Sequence, residues 1–313
     1  MICYVIGKGS IGLRHAENLK ALGEEVVHLS WRELDLKILD SYLFENQNNC
    51  CVVIATASNI RIPIIKVCSK NNVPMYIEKP IGYNKDDLKY IFSISKELQK
   101  RSFAGFMMRY HPLIRYLVEL NLENIFNLSL RVGHNVNDWR KNWSFSKSYA
   151  AEKNGGGVLL DLCHEIDIAF LLCKSLEVQD TLSLGHEQFE VDMASSIYLS
   201  SEDGTICSIS LDYLSPQLIR NGNIASAKKS LEYDLVKSSI KEVSKIDTIE
   251  KNFPIERNQI FIEAMEDFLN IVKKKKAKNK FAPRLDKVKD VCFHIANAWE
   301  KRNFVGNIEG NLK

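Results

Sequence analysis

The 313-residue sequence predicts an α/β chain in two parts: a doubly wound parallel sheet, followed by an α+β part built on a larger sheet with one covered face. Three observations predict it. Short apolar runs alternate with amphipathic segments through the first hundred or so residues, the β-α rhythm of a parallel sheet. After Leu122 the runs lengthen and alternate apolar with polar residues, as half-covered strands do. The length favours two domains at about 100–200 residues each, expected at 1–120 and 121–313.

Each element follows from local pattern. Ile2–Ile6 is an apolar run that stops at Gly7, and Ser10–Leu22 carries Ile11, Ala16, Leu19 and Leu22 at helical spacing. Glu25–Leu29 reads as a strand, Leu34–Leu43 as a helix, and Cys50–Ala55 as a strand buried on both faces. Ile62–Lys70 (helix), Pro74–Ile77 (strand), Lys85–Lys100 (helix) and Phe103–Phe106 (strand) complete the first part. In the second part Ile125–Gly133, Ser195–Leu199 and Gly204–Asp212 read as strands. One helix is expected from near Gly157 to about Cys173, and helices about Arg257–Lys274 and Leu285–Lys301 close the chain. The lysines at 273–276, 278 and 280 read as a solvated helix end.

Composition narrows the function classes. Hydrophobic residues at 45% and charged residues at 26% describe a folded chain, and a net charge of +3 lacks the basic excess of a nucleic-acid binder. The eight cysteines show no metal-ligand spacing and read as reduced and buried, with no metal expected. No basic leader precedes an apolar stretch and no run reaches the roughly 18 apolar residues of a membrane span. A cytoplasmic protein without membrane contact is expected.

Three motifs carry chemistry. Gly7-Lys8-Gly9-Ser10-Ile11-Gly12 has the spacing G-x-G-x-x-G between a predicted strand and a predicted helix. Gly7 serves the turn, Gly9 leaves room for a pyrophosphate at the helix N-terminus, and Gly12 allows close packing; the bland alternative is a glycine-rich turn. At the end of the second strand, where NAD binders place an acid, stand Ser30, Trp31 and Arg32. A hydroxyl, an indole and a guanidinium suit a 2′-phosphate and favour NADP, while Glu33 and Asp35 nearby leave NAD open. Glu78-Lys79-Pro80 follows the fourth strand at its ligand-binding end. A partly desolvated Lys79 beside a cationic nicotinamide would hold its proton less tightly and serve as acid or base, unless it is a surface lysine beside a glutamate. In Gly155–Asp167, a helix would place Asp161, His164 and Asp167 on one face, either tuning the histidine or forming a satisfied buried network.

The three motifs in this order resemble the Gfo/Idh/MocA (glucose–fructose oxidoreductase / inositol dehydrogenase) family of NAD(P)-dependent oxidoreductases. The wording of Gly155–Asp167, with Arg109-Tyr110-His111-Pro112, looks like a subgroup found with surface-polysaccharide and nonulosonate sugar genes. The resemblance implies an N-terminal Rossmann domain and a C-terminal α+β domain with a large, mostly antiparallel sheet. It matches Lys79 to the lysine that contacts the nicotinamide half and moves a proton, His164 to the acid/base or substrate-orienting histidine, and Asp161 to its partner. Ala55, Thr56, Ser58 and Glu78 join the cofactor-binding candidates. Asp161 and His164 stand three apart where four is commoner, and Arg61 stands where many relatives have histidine. The expected activity is hydride transfer at a carbinol carbon of a sugar, activated or modified. Arg109, Trp139, Arg140 and Tyr149 are candidates for substrate binding beside Asp161 and His164, although each arginine could equally be structural. A non-catalytic nicotinamide-binding sensor or scaffold, and a lyase or epimerase that uses the nicotinamide transiently, are the alternatives. A homodimer or homotetramer packed through the large sheet is expected.

Overall fold

The computed structural model describes residues 1–138 and 144–310. The chain divides into two compact units: Met1–Tyr110 with Glu256–Phe293, and His111–Ile255 with the segment from His294 on. Among the described residues no helix is long and apolar enough to cross a membrane, and no group of His, Cys, Asp and Glu side chains is arranged to hold a metal ion.

The first unit opens with β1 (Ile2–Ile6), α1 (Ser10–Ala21), β2 (Glu25–Leu29), α2 (Leu36–Asn46), β3 (Cys50–Ile54), α3 (Arg61–Lys70), β4 (Met75–Ile77), α4 (Lys85–Ser93), α5 (Lys96–Lys100) and β5 (Phe103–Ala104). All five strands are parallel, in the order β2-β1-β3-β4-β5. The order reverses between β1 and β3, the place where open parallel sheets bind ligands. β3 is buried along its whole length, as its unbroken Cys-Cys-Val-Val-Ile run requires of a central strand. The single helix expected over Lys85–Lys100 is two. The Ser95 hydroxyl accepts from Leu98 N at 3.2 Å, starting a new helix where the old one would have continued. The strand expected to Phe106 stops at Ala104 because Met107–Tyr110 turns into a 3₁₀ coil.

The second unit contains α6 (Pro112–Glu119), β6 (Ile125–Gly133), α7 (Val158–Asp161), α8 (His164–Leu172), β7 (Glu177–His186), β8 (Phe189–Ser200), β9 (Ile206–Asp212), β10 (Ile219–Ser226), β11 (Lys229–Asp234), β12 (Ser239–Ser244) and β13 (Thr248–Asn252). After α9 (Gln259–Val272) and α10 (Lys289–Glu300), β14 (Arg302–Ile308) completes a nine-stranded sheet in the order β13-β12-β11-β10-β6-β9-β8-β7-β14. Its pairs are antiparallel except β6 with β9 and β7 with β14. Leu128, Leu130, Ile197, Leu199, Ile209 and Leu211 are buried on one face, with α8 packed over β6 and β9. Ser196, Tyr198, Ser208, Ser210 and Arg131 occupy the alternate, partly exposed positions.

The sequence reading grouped everything after residue 120 together, whereas α9 returns to the first unit. Its Met265, Phe268, Leu269 and Val272 share a core with Cys3, Val5, Leu19, Cys51, Val53, Tyr76 and Phe103. An amphipathic stripe says that a helix covers something apolar; it does not say which sheet. All eight cysteines are buried and none is in a disulfide.

Candidate functional site

The Gly7–Gly12 turn joins β1 to α1 at the reversal of strand order. Gly9 caps α1, no side chain accepts from the cap, and the first turn carries no acidic residue. The free N–H groups of Ser10, Ile11 and their neighbours, with the positive end of the helix dipole, are what an anion needs. A Cβ on Gly9 would meet nothing within 4 Å, so the space before the helix is open, whereas one on Gly12 would lie 1.8 Å from the Gly7 carbonyl oxygen. Only glycine at 12 lets α1 sit this close to the turn. Ala55 lies against Gly7, Thr56 is half-buried and Ser58 buried. Past β2, Ser30 precedes a 3₁₀ turn, with Trp31 half-buried and Arg32 exposed. The donors and the open space fit a dinucleotide pyrophosphate.

The Glu78-Lys79 turn at the end of β4 is held from several sides. Glu78 is buried, and its Oε1 lies 2.6 Å from Nε2 of His15 on α1. Its Oε2 accepts from Lys79 N at 3.2 Å. Burial pushes this carboxyl up, but the His15 hydrogen bond and the charges of His15, Lys79 and Arg61 outweigh it and hold Glu78 below the usual carboxylate range. Arg61, the first residue of α3 and itself buried, donates from Nη1 to the carbonyls of Glu78 and Pro80 and from Nε to Thr56 O at 3.1 Å. Lys79 itself is half-buried.

In the second unit the glycine triplet feeds α7. Gly157 has φ of 94°, and a Cβ there would lie 2.1 Å from Asp192 Oδ1. Asp192, on β8, is fully buried and accepts from Leu159 N and from Ser195 Oγ, both at 2.9 Å, and pairs with Arg302. The expected single helix over Gly157–Cys173 is broken at Leu162–Cys163. Asp161 ends α7 and His164 opens α8, so the two do not share one helix face as their spacing suggested. Asp161 instead sits under two phenols, its Oδ1 accepting from Tyr149 at 2.9 Å and its Oδ2 from Tyr213 at 3.0 Å. Burial and the Asp161 charge push the Tyr213 phenol well up, keeping it a donor. Glu165, buried one residue past His164, pairs with Arg220 on β10 at 2.7 Å. Burial, with Arg220 and Arg115 nearby, pushes His111 down to about 4.

The structure thus gathers Gly7, Gly9, Ser10, Gly12, Ala55, Thr56, Ser58, Glu78 and Lys79 at the carboxyl ends of the strands of one sheet. In the other unit it places Tyr149, Asp161 and His164 about the α7–α8 junction. Arg109 is buried in the first unit and donates to the Phe281 carbonyl at 3.2 Å, while the Asn279 side-chain amide donates to the Arg109 carbonyl at 2.9 Å. Trp139 and Arg140 lie outside the described residues. Sequence reasoning gave no role to His15, Asp192, Arg61 or Tyr213. Arg61 did carry a signal, since a cation at the first residue of a helix opposes the dipole and needs compensating partners.

No family model matches the chain. The myo-inositol 2-dehydrogenase of Thermotoga maritima is 27% identical over 129 residues, 37% of this chain and 39% of that protein, so the chain spans about two fifths of that relative's length. Among solved structures, the UDP-N-acetylglucosamine 3-dehydrogenase GnnA from Acidithiobacillus ferrooxidans aligns over 96% of both chains with a TM-score of 0.74 at 16% identity. A levoglucosan dehydrogenase in complex with NADH aligns over 96% of both chains with a TM-score of 0.77 at 14% identity. These structures establish the fold, a Rossmann unit and a mostly antiparallel sheet unit. The curated relative, an inositol dehydrogenase by its name, agrees with the family resemblance carried by the three motifs.

Proposed function

We propose that this chain is an NAD(P)-dependent dehydrogenase that transfers a hydride at a carbinol carbon of a sugar or polyol. One observation carries the reading: a single unit combines an uncapped helix N-terminus at the strand-order reversal with a lysine held at the end of β4 by a buried, ionised glutamate. The relatives named above act on hydroxyls of cyclic sugars and polyols by their names, and a nucleotide-activated sugar is the substrate class we favour. The nicotinamide, when bound, supplies the hydride acceptor. Ser10, Ile11 and Gly12 would hold its pyrophosphate by their N–H groups, Ser30 and Arg32 its adenosine ribose. Lys79 as the neutral amine takes the hydroxyl proton during oxidation and returns it in reduction. In the second unit Asp161, held by the Tyr149 and Tyr213 hydroxyls, and the Tyr149 phenol oxygen offer their remaining lone pairs as acceptors to sugar hydroxyls, and His164 stands beside them in sequence as the second proton-handling group.

The test is a screen of myo-inositol, UDP-N-acetylglucosamine and levoglucosan with NAD+ and NADP+, following the absorbance of reduced nicotinamide. Accumulation with one of these substrates is the expected result. Cofactor binding, with turnover of a sugar but no net reduction, would replace the dehydrogenase by an epimerase or lyase.

The exposed Arg32 after Ser30 supports NADP as the preferred cofactor. Arg32→Ala should then weaken NADP(H) by about 1–3 kcal/mol, the scale of a charge-assisted hydrogen bond, and leave NAD(H) nearly unchanged in fluorescence titrations. Equal loss for both would return the choice to NAD. The serine-lined, partly exposed face of the nine-stranded sheet supports a homodimer or homotetramer, checked by sedimentation at micromolar concentration, where a monomer ends that proposal. The eight buried cysteines, none in a disulfide, support a reducing, cytoplasmic setting.

A further inference from the structure

The geometry points to Arg61 as the positioning residue for Lys79, acting by gripping the main-chain carbonyls on either side of it. The inference rests on the reading of Lys79 as the proton-handling group, and deepens it.

Three features carry it. The buried Arg61 guanidinium donates to main-chain carbonyls of two loops, Thr56 after β3 and Glu78 and Pro80 after β4. A planar fork of donors is the side chain able to join two loops in this way, and a lysine ammonium at the same place could not span them. Glu78 and Pro80 are the residues immediately before and after Lys79, so the clamp fixes the backbone from which the Lys79 side chain springs. Arg61 also stands at the N-terminus of α3, where the helix dipole opposes a cation. Its placement is a cost to the helix that the grip on the two loops offsets. The same cation helps keep Glu78 ionised, and Glu78 accepts from Lys79 N.

Competitive acetylation of the intact protein with acetic anhydride, read by mass spectrometry, reports the exposure and basicity of each lysine without a substrate. Lys70 lies on α3 with Arg61 and serves as the internal control, since its partner is Asp40 rather than either loop. In Arg61→Met, Lys79 should acetylate at least threefold faster than in the unmodified protein, while Lys70 changes less than 1.5-fold. Protection of Lys79 by NADH or NADPH should fall from severalfold to none. Arg61→Lys should behave like Arg61→Met, because charge without the fork does not restore the grip; being milder, it decides the question if Arg61→Met fails to fold. Unchanged Lys79 labelling in a folded variant overturns the inference, as does an equal rise at Lys70, which would mark Arg61 as a support of α3 alone. If neither cofactor protects Lys79 in the unmodified protein, the nicotinamide reading fails, and the labelling rates still decide whether Arg61 holds the turn.

Discussion

Lys79→Ala lowers turnover by roughly 10²–10⁴-fold, the contribution of a positioned acid or base. Hydride departure from a carbinol carbon leaves an oxygen that must shed its proton in the same event, and in the first unit Lys79 is a half-buried amine at the end of β4 whose backbone is held by Glu78 and Arg61. That framework survives the substitution. Glu78 keeps its His15 partner, Arg61 keeps its carbonyl acceptors, and the backbone N–H of residue 79 still reaches Glu78. The variant should therefore fold and melt like the parent, and bind reduced cofactor within a few-fold, while kcat collapses on the substrate found in the screen. Turnover within threefold of the parent, with cofactor bound, would falsify the proton-transfer role and leave the fold and the nucleotide turn standing.

Asp192→Ala should destabilise the second unit by about 3–5 kcal/mol, the scale of breaking a buried ion pair from one side. Asp192 is fully shielded from water, and its loss leaves the Arg302 guanidinium, itself 10% exposed, with the Trp299 carbonyl but without its carboxylate. Leu159 N and the Ser195 hydroxyl lose their acceptor as well. The damage extends to the candidate site, because Asp192 anchors the start of α7 and Asp161 is the last residue of that helix. Asp192→Asn keeps an acceptor for these donors without the charge and should fall between the two. Urea unfolding at constant protein concentration measures both. A loss below about 1 kcal/mol in Asp192→Ala would mean that Arg302 finds water or another partner, and that the network contributes little.

What was legible in the sequence was what is decided locally. β1, α1 and β3 follow from an apolar run, a glycine turn and a helical stripe within a few residues of each other, and the structure has them within a residue or so. The α7–α8 junction was not legible. Asp161, His164 and Asp167, three residues apart, read as one face of a continuous helix, and the break at Leu162–Cys163 leaves that spacing unchanged. Strands β10 to β13 were missed because their alternation is broken on both faces: Gly222, Ser226 and Glu242 take covered positions, while Val243 and Ile249 stand exposed. In the candidate site the three motifs marked Gly7 to Gly12, Lys79, Asp161 and His164. Their partners came from far along the chain. Tyr213 is 52 residues from Asp161, His15 is 63 from Glu78 and Arg302 is 110 from Asp192, and a one-dimensional pattern carries no sign of such pairings.

The return of α9 to the first unit has a consequence on the ribosome. The sheet of that unit is translated by Tyr110, but Met265, Phe268 and Val272, which complete its core, follow only after the residues from 111 to 255. At roughly 5–20 residues per second these 145 residues take about 7–30 s to emerge. Throughout that interval the nascent parallel sheet carries an uncovered apolar face against which Tyr76 and Phe103 have no lid, and the intervening unit has time to fold first. A fragment ending at Tyr110 would be frozen in that state, a substrate for chaperones rather than an independent nucleotide-binding module.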